Sequence, residues 1–176
     1  MNKVKSKPNK IEEHNDYIYI ILKNKKQQTV AKAIVDKKDY EKIKDYRWYL
    51  SDEGYVRTNL YGTTVNIHRL LIPNAKMVDH KNQNRLDNRK SNLRSCDTKQ
   101  NGQNRKTQKN NSSGVPGVGW KKSVGKWETR IWVNGKTISL GLFKDFQNAF
   151  KARQNAECYY FKEFKPTKEL KHETNI

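Results

Sequence analysis

Val78 to Arg105 reads VDHKNQNRLDNRKSNLRSCDTKQNGQNR. Asp79 and His80 stand side by side, eleven residues separate them from Asn92, and eight more separate Asn92 from Asn101. Hydrolysing a phosphodiester needs a water made nucleophilic and a cation that stabilises the developing charge, and one histidine with one metal supplies both. A carboxylate is a hard donor suited to Mg²⁺ or Mn²⁺, and an imidazole can accept a proton near neutral pH. On a strand, neighbouring side chains point to opposite faces, so Asp79 and His80 can divide the metal and water roles. The plainer reading is an Asp-His pair that satisfies a turn among loop asparagines.

Upstream the chain is β-rich. Tyr17 to Lys23 (YIYIILK) and Thr29 to Val35 (TVAKAIV) predict a hairpin across Asn24 to Gln28. Asp36 to Tyr46 predicts a short helix capped by Asp36, with Tyr40, Ile43 and Tyr46 three apart. Arg47 to Leu50, Tyr55 to Thr58 and Thr64 to Ile67 read as short antiparallel strands, broken by turns at Asp52-Glu53-Gly54 and Tyr61-Gly62. His68 to Ile72 is expected as a helical turn ended by Pro73-Asn74.

Downstream, Lys81 to Ser113 sets nine basic residues (Lys81, Arg85, Arg89, Lys90, Arg94, Lys99, Arg105, Lys106, Lys109) against Asp87 and Asp97 alone. Arg85, Arg89, Lys90 and Arg94 are expected to touch phosphate, which positions a backbone without reading sequence. Arg105 to Ser113 holds no apolar side chain and is expected as a flexible tether. Val115 to Trp120, Lys126 to Val133 and Lys136 to Leu140 follow as three strands, with Asn134-Gly135 a hairpin signal, and Asp145 caps a helix to about Phe161. In the middle strand Trp127, Thr129 and Ile131 take the core face. Glu128, Arg130 and Trp132 take the outer face, joined by Thr137, Ser139, Trp120 and Lys122.

The fold class expected is therefore α+β. The boundaries are an N-terminal scaffold (1–60), a chemical core (61–104), the tether (105–113), a three-strand-plus-helix module (114–165) and a tail (166–176). The 176 residues carry 37 Lys and Arg against 18 Asp and Glu, a net charge of +19 that points to a polyanionic partner. No apolar run, signal segment or basic amphipathic helix supports a membrane partner, so a cytoplasmic protein of a bacterial or phage-infected cell is expected. Cys96 and Cys158 lack metal-site spacing and read as ordinary thiols. No dimerisation element stands out, and a monomer is expected.

Val78 to Arg105 resembles the HNH motif of phage and intron-encoded endonucleases. That resemblance implies two strands and a helix around one divalent cation, Mg²⁺ or Mn²⁺. Asp79 and Asn101 would hold it, with Asn104 as the alternative to Asn101. His80 would activate water and Asn92 would brace the loop that orients His80. Relatives carry glycine where Gln83 stands. His68-Arg69-Leu70 is similar to the family's HRL segment, where the histidine either supports the site or packs beneath it.

Ser113 to Tyr159 resembles the apetala and ethylene-response-factor DNA-binding domain. The likeness rests on Gly114 to Val118, Gly125-Lys126-Trp127, Leu140 to Phe143, and a helix with Ala149, Ala152 and Ala156. It implies a sheet that enters the major groove of double-stranded DNA. Together the two resemblances imply a metal-dependent DNA endonuclease of homing or phage site-directed type, cutting one strand per active site. The competing reading is a non-catalytic DNA-binding regulator on a nuclease scaffold, with RNA as a weaker third partner.

Overall fold

The computed structural model describes residues 7–103 and 111–165. Two compact units divide at Asp97/Thr98. In the first, β1 (Ile11–Glu13), β2 (Tyr17–Lys23) and β3 (Thr29–Asp36) form an antiparallel sheet in that order. Ile18, Ile20 and Leu22 on β2 are almost fully buried, as the period-two side-chain alternation of a strand requires for residues facing one core. A second sheet is made of β4 (Tyr49–Leu50), β5 (Val56–Leu60) and β6 (Thr63–Asn66). The short helix α1 (Ile67–Leu71) then leads to the ribbon of β7 (Met77–His80) and β8 (Leu93–Cys96).

One apolar cluster joins these pieces. Ile18, Ile20, Leu22, Val35, Ile43, Trp48, Val56, Ile67, Leu71, Val78 and Leu93 all belong to it. Trp48 closes its floor, its Nε1 donating to Ile43 O at 3.0 Å. Asn9 ties the first sheet to that tryptophan: Nδ2 donates to Ile21 O and Trp48 O, and Oδ1 accepts from Trp48 N. The hydrophobic core therefore runs from the first hairpin to the β7–β8 ribbon without a break.

The helix expected over Asp36 to Tyr46 is instead a single 3₁₀ segment, Lys37–Lys42. Asp36 makes no capping bond to it; its Oδ2 accepts from Lys90 N at 2.7 Å. Without that cap, and with the apolar spacing spread over only three residues, a tight short turn prevails over a regular helix.

The second unit begins with α2 (Thr98–Gln103), which packs against a 3₁₀ turn at Lys162–Phe164. Its sheet has the order β11 (Lys136–Phe143), β10 (Lys126–Val133), β9 (Val118–Lys121), and α3 (Phe146–Phe161) lies on one face. Asn134 and Gly135 both have positive φ, 50° and 82°, as a tight β-hairpin turn demands. Asp145 caps α3 by accepting from Asn148 N at 2.8 Å.

Gly117 sits where no other residue fits. Its φ is +74°, and an added Cβ would lie 2.2 Å from Arg130 O, an oxygen that also accepts from Arg153 Nη1. Thr129, Ile131 and Ala149 are buried between sheet and helix, while Arg130, Trp132, Thr137 and Ser139 are exposed on the opposite face. Trp120 departs from the outer set expected for it: it lies directly across from Trp127 and shares that residue's face, the rings 5.3 Å apart. The register between β9 and β10 decides this, and strand alternation within one segment does not fix register. Lys121 takes the outer position instead, paired with Glu128 at 2.9 Å.

Candidate functional site

β7 and β8 pair antiparallel with Asp79 opposite Arg94 and His80 opposite Leu93. Alternation sends the two side chains apart, as adjacent strand positions must. On one side, Arg94 Nε and Nη2 both donate to Asp79 Oδ2, at 2.9 and 2.6 Å, with both side chains largely buried. On the other, the His80 ring meets His68 edge-on at 5.2 Å and Tyr55 at 6.3 Å, and its Nε2 lies 3.2 Å from Asn88 Oδ1.

Burial pushes the His80 imidazole below its usual range, opposed by Asn88 and the Asp79 charge. The imidazole therefore favours its neutral form, which is the form that can take a proton. His68 is driven further, to about 3, first by burial and then by the charges of His80, Arg69 and Arg57. That histidine is a neutral ring packed against His80.

Between the strands, residues 81–92 form a loop tied to itself. Asn92 is buried at its base: Oδ1 accepts from Asn82 N at 3.0 Å and Nδ2 donates to Asp87 O at 2.7 Å. Asn82 Oδ1 and Asn84 Oδ1 each accept from a backbone N–H two residues on, the local bonding that asparagine offers in turns. Gln83 holds φ +60°, the left-handed conformation that glycine adopts without a Cβ clash.

Arg85, Arg89, Lys90 and Arg94 all have partners within the protein. Arg89 bonds both oxygens of Asp87, at 2.8 and 2.7 Å. Lys90 Nζ pairs with buried Asp39 at 2.9 Å, Arg94 holds Asp79, and Arg85 donates to Glu53 O while stacking on Tyr55 with its guanidinium 4.2 Å from the ring centre. Counting charge within the segment sees only Asp87 and Asp97. The folded chain brings Asp36, Asp39, Glu53 and Asp79 alongside.

Asn101 stands exposed on α2, in the second unit. Asn104 lies outside the described residues, as do residues 105–110 of the expected tether. Asn111 and Ser113, by contrast, are hydrogen-bonded to each other and to Val115 O. Among the described residues no three or more His, Cys, Asp or Glu side chains gather as a metal site. The donor that the ribbon offers is the Asp79 carboxylate, a hard oxygen ligand of the kind that suits a divalent cation, which would take over Arg94's role as counter-charge. Tyr55 and Asn88 were not singled out by sequence reasoning. Tyr55 approaches His80 from just before β5, and Asn88 from within the loop between the two strands.

Residues 71–103 match a protein-family model described as HNH endonuclease. The chain is 27% identical over 150 residues to an uncharacterised HNH endonuclease of Acanthamoeba polyphaga mimivirus, covering 81% of this chain and 73% of that one. It is 37% identical over 65 residues to Protein 3.8 of Escherichia phage T7, covering 37% of this chain and 54% of the phage protein. No solved structure gives a significant match. No helix among the described residues is long and apolar enough to cross a membrane. The family match falls on the segment that holds Asp79, His80, Asn92 and Asn101, so the HNH endonuclease family is what this part of the chain is similar to.

Proposed function

We propose that the protein is a metal-dependent endonuclease that hydrolyses phosphodiester bonds of double-stranded DNA, of the homing or phage site-directed kind. The observation that carries this reading is the buried His80 beside Asp79 on β7, over a loop that Asn92 ties down, within the segment that matches the HNH family. His80 accepts the proton of the attacking water. Asn92 keeps the 82–87 loop closed beneath it, and His68 fills the space on the far side of the ring.

Asp79 is the cation ligand offered by the ribbon, and Asn101, with Asn104 as its alternative, is the amide ligand proposed from the motif alone. The bound cation, Mg²⁺ or Mn²⁺, would neutralise charge on the phosphate and stabilise the leaving oxygen. Arg85, Arg89, Lys90 and Arg94 lend positive potential to the segment, and any of them that binds phosphate exchanges an internal partner for it. The outer face of β10 and β11, with Arg130, Trp132, Thr137 and Ser139, binds the duplex, flanked by Glu128, Lys121 and Lys122. Its likeness to the apetala and ethylene-response-factor sheet supports that assignment, as does the exposure of those side chains.

Incubation of supercoiled plasmid with the protein in Mg²⁺ or Mn²⁺, with and without EDTA, tests the reading. Nicked or linear product that EDTA abolishes, together with a loss of at least about 100-fold in His80→Ala and retained DNA binding, is the expected result. DNA that is retarded but never cut points instead to a regulator built on a nuclease scaffold.

A further inference from the structure

The ring of His80 has a hydrogen-bond partner whose own orientation is fixed independently. Asn88 is buried, with 1% of its surface exposed, and its Nδ2 donates to Arg85 O at 3.1 Å. An amide whose nitrogen is used there must turn its oxygen the other way, and that oxygen lies 3.2 Å from His80 Nε2. Oxygen of an amide only accepts, so Nε2 carries the hydrogen and Nδ1 is the ring's lone-pair nitrogen.

Asn88 is itself anchored from outside the motif. Its backbone N–H donates to Ile34 O at 2.8 Å, and Ile34 N–H donates to Leu86 O at 2.8 Å, so β3 pairs with the loop like one more strand. Asp36 Oδ2 adds the bond to Lys90 N. The edge of the N-terminal sheet therefore holds the loop that holds the ring.

We infer that Asn88, anchored by β3, is a positioning residue that selects the Nε2–H tautomer of His80 and thereby presents Nδ1 to the attacking water. The inference rests on the nuclease reading above, in which His80 acts on that water. Asn88 touches neither water nor phosphate in this scheme; it acts through the ring. With Asn88 removed, the ring loses the acceptor that selects Nε2–H, so the fraction of productive encounters falls while DNA binding is untouched.

The test combines kinetics with ¹⁵N NMR of the full chain labelled at its four histidines, the His80 signals being assigned by their loss in His80→Gln. In the parent, His80 should show a pyridine-like Nδ1 and a pyrrole-like Nε2. Asn88→Ala should lower kcat roughly 10–100-fold with KM unchanged and mix the two tautomers. Asn88→Asp, which keeps an acceptor for Nε2–H, should restore the tautomer and most of kcat. Parental kcat in Asn88→Ala, or an Nδ1–H tautomer in the parent protein, overturns the inference. The parent spectrum decides even where a variant fails to fold. If His80→Ala itself cuts like the parent, the nuclease assignment fails; if His80→Ala is dead and Asn88→Ala is fully active, only the role of Asn88 does.

Discussion

His68 is 5% exposed, and its ring lies edge-on to His80. A neutral imidazole so enclosed has a thermodynamic signature. The unfolded chain binds a proton there as the pH falls below about 6.5, whereas the folded chain resists until about 3. The stability contributed by neutral His68 is therefore complete above pH 6.5 and lost progressively between 6.5 and 3, with a slope of at most about 1.4 kcal/mol per pH unit. Urea unfolding in this window should show a falling midpoint in the parent and a shallower fall in His68→Gln, the remainder coming from His80, whose pKa is lowered in the same direction, and towards the acid end from Asp39 and Asp87, whose ion-paired carboxyls are held below their usual range. Identical slopes in the two proteins would remove His68 from the account. At this scale the strand alternation was legible: Asp79 and His80 fall on β7 and face apart, with Asn92 at the base of the loop that follows. The hold of Asn88 on the ring was not, because a hydrogen bond between side chains eight residues apart leaves no periodicity to read.

The ribbon β7–β8 depends on the cross-strand pair of Asp79 and Arg94, whose side chains are 8% and 10% exposed. Removing Arg94 takes the guanidinium counter-charge away from a buried carboxylate, and that costs more than the pair contributes. Arg94→Met, measured in EDTA, is expected to lose about 3–5 kcal/mol of unfolding free energy, with much of it regained in the double variant that adds Asp79→Asn. Unchanged stability in Arg94→Met would mean that the guanidinium serves phosphate alone. Elements of this size were readable when their signals were local. The β2–β3 hairpin, the Asn134-Gly135 turn and the Asp145 cap of α3 all follow from neighbours in sequence. The strand β1, the 3₁₀ turn in place of a helix and the pairing of Trp120 with Trp127 depend on partners brought up by the fold. Asp36 shows the difference: its capping signal was sound, but Lys90 N–H, 54 residues away, claimed the carboxylate.

For the whole molecule the net charge of +19 sets the behaviour towards DNA. Binding that neutralises six to ten phosphates weakens roughly 10³–10⁵-fold between 50 and 200 mM salt. Because Arg89, Lys90 and Arg94 are already paired with carboxylates, exposed residues of the β10–β11 face should contribute more to this dependence. Trp132 is 58% exposed and Arg130 stands beside it on that face. Arg130→Ala with Trp132→Ala is expected to weaken DNA binding about tenfold or more and to reduce the salt slope by about one, leaving kcat at saturating DNA unchanged. Fluorescence anisotropy across a salt series measures both, and parental affinity in the double variant would exclude this face as the reader. The pairing of β3 with residues 86–88 bears on a separate matter, the portability of the segment. A graft of residues 71–103 onto another scaffold would transplant every residue of the spaced motif and leave behind Ile34 and Asp36, which hold its loop shut. The recipient would inherit the signature without the grip, so the segment and the β3 strand that grips it have to travel together.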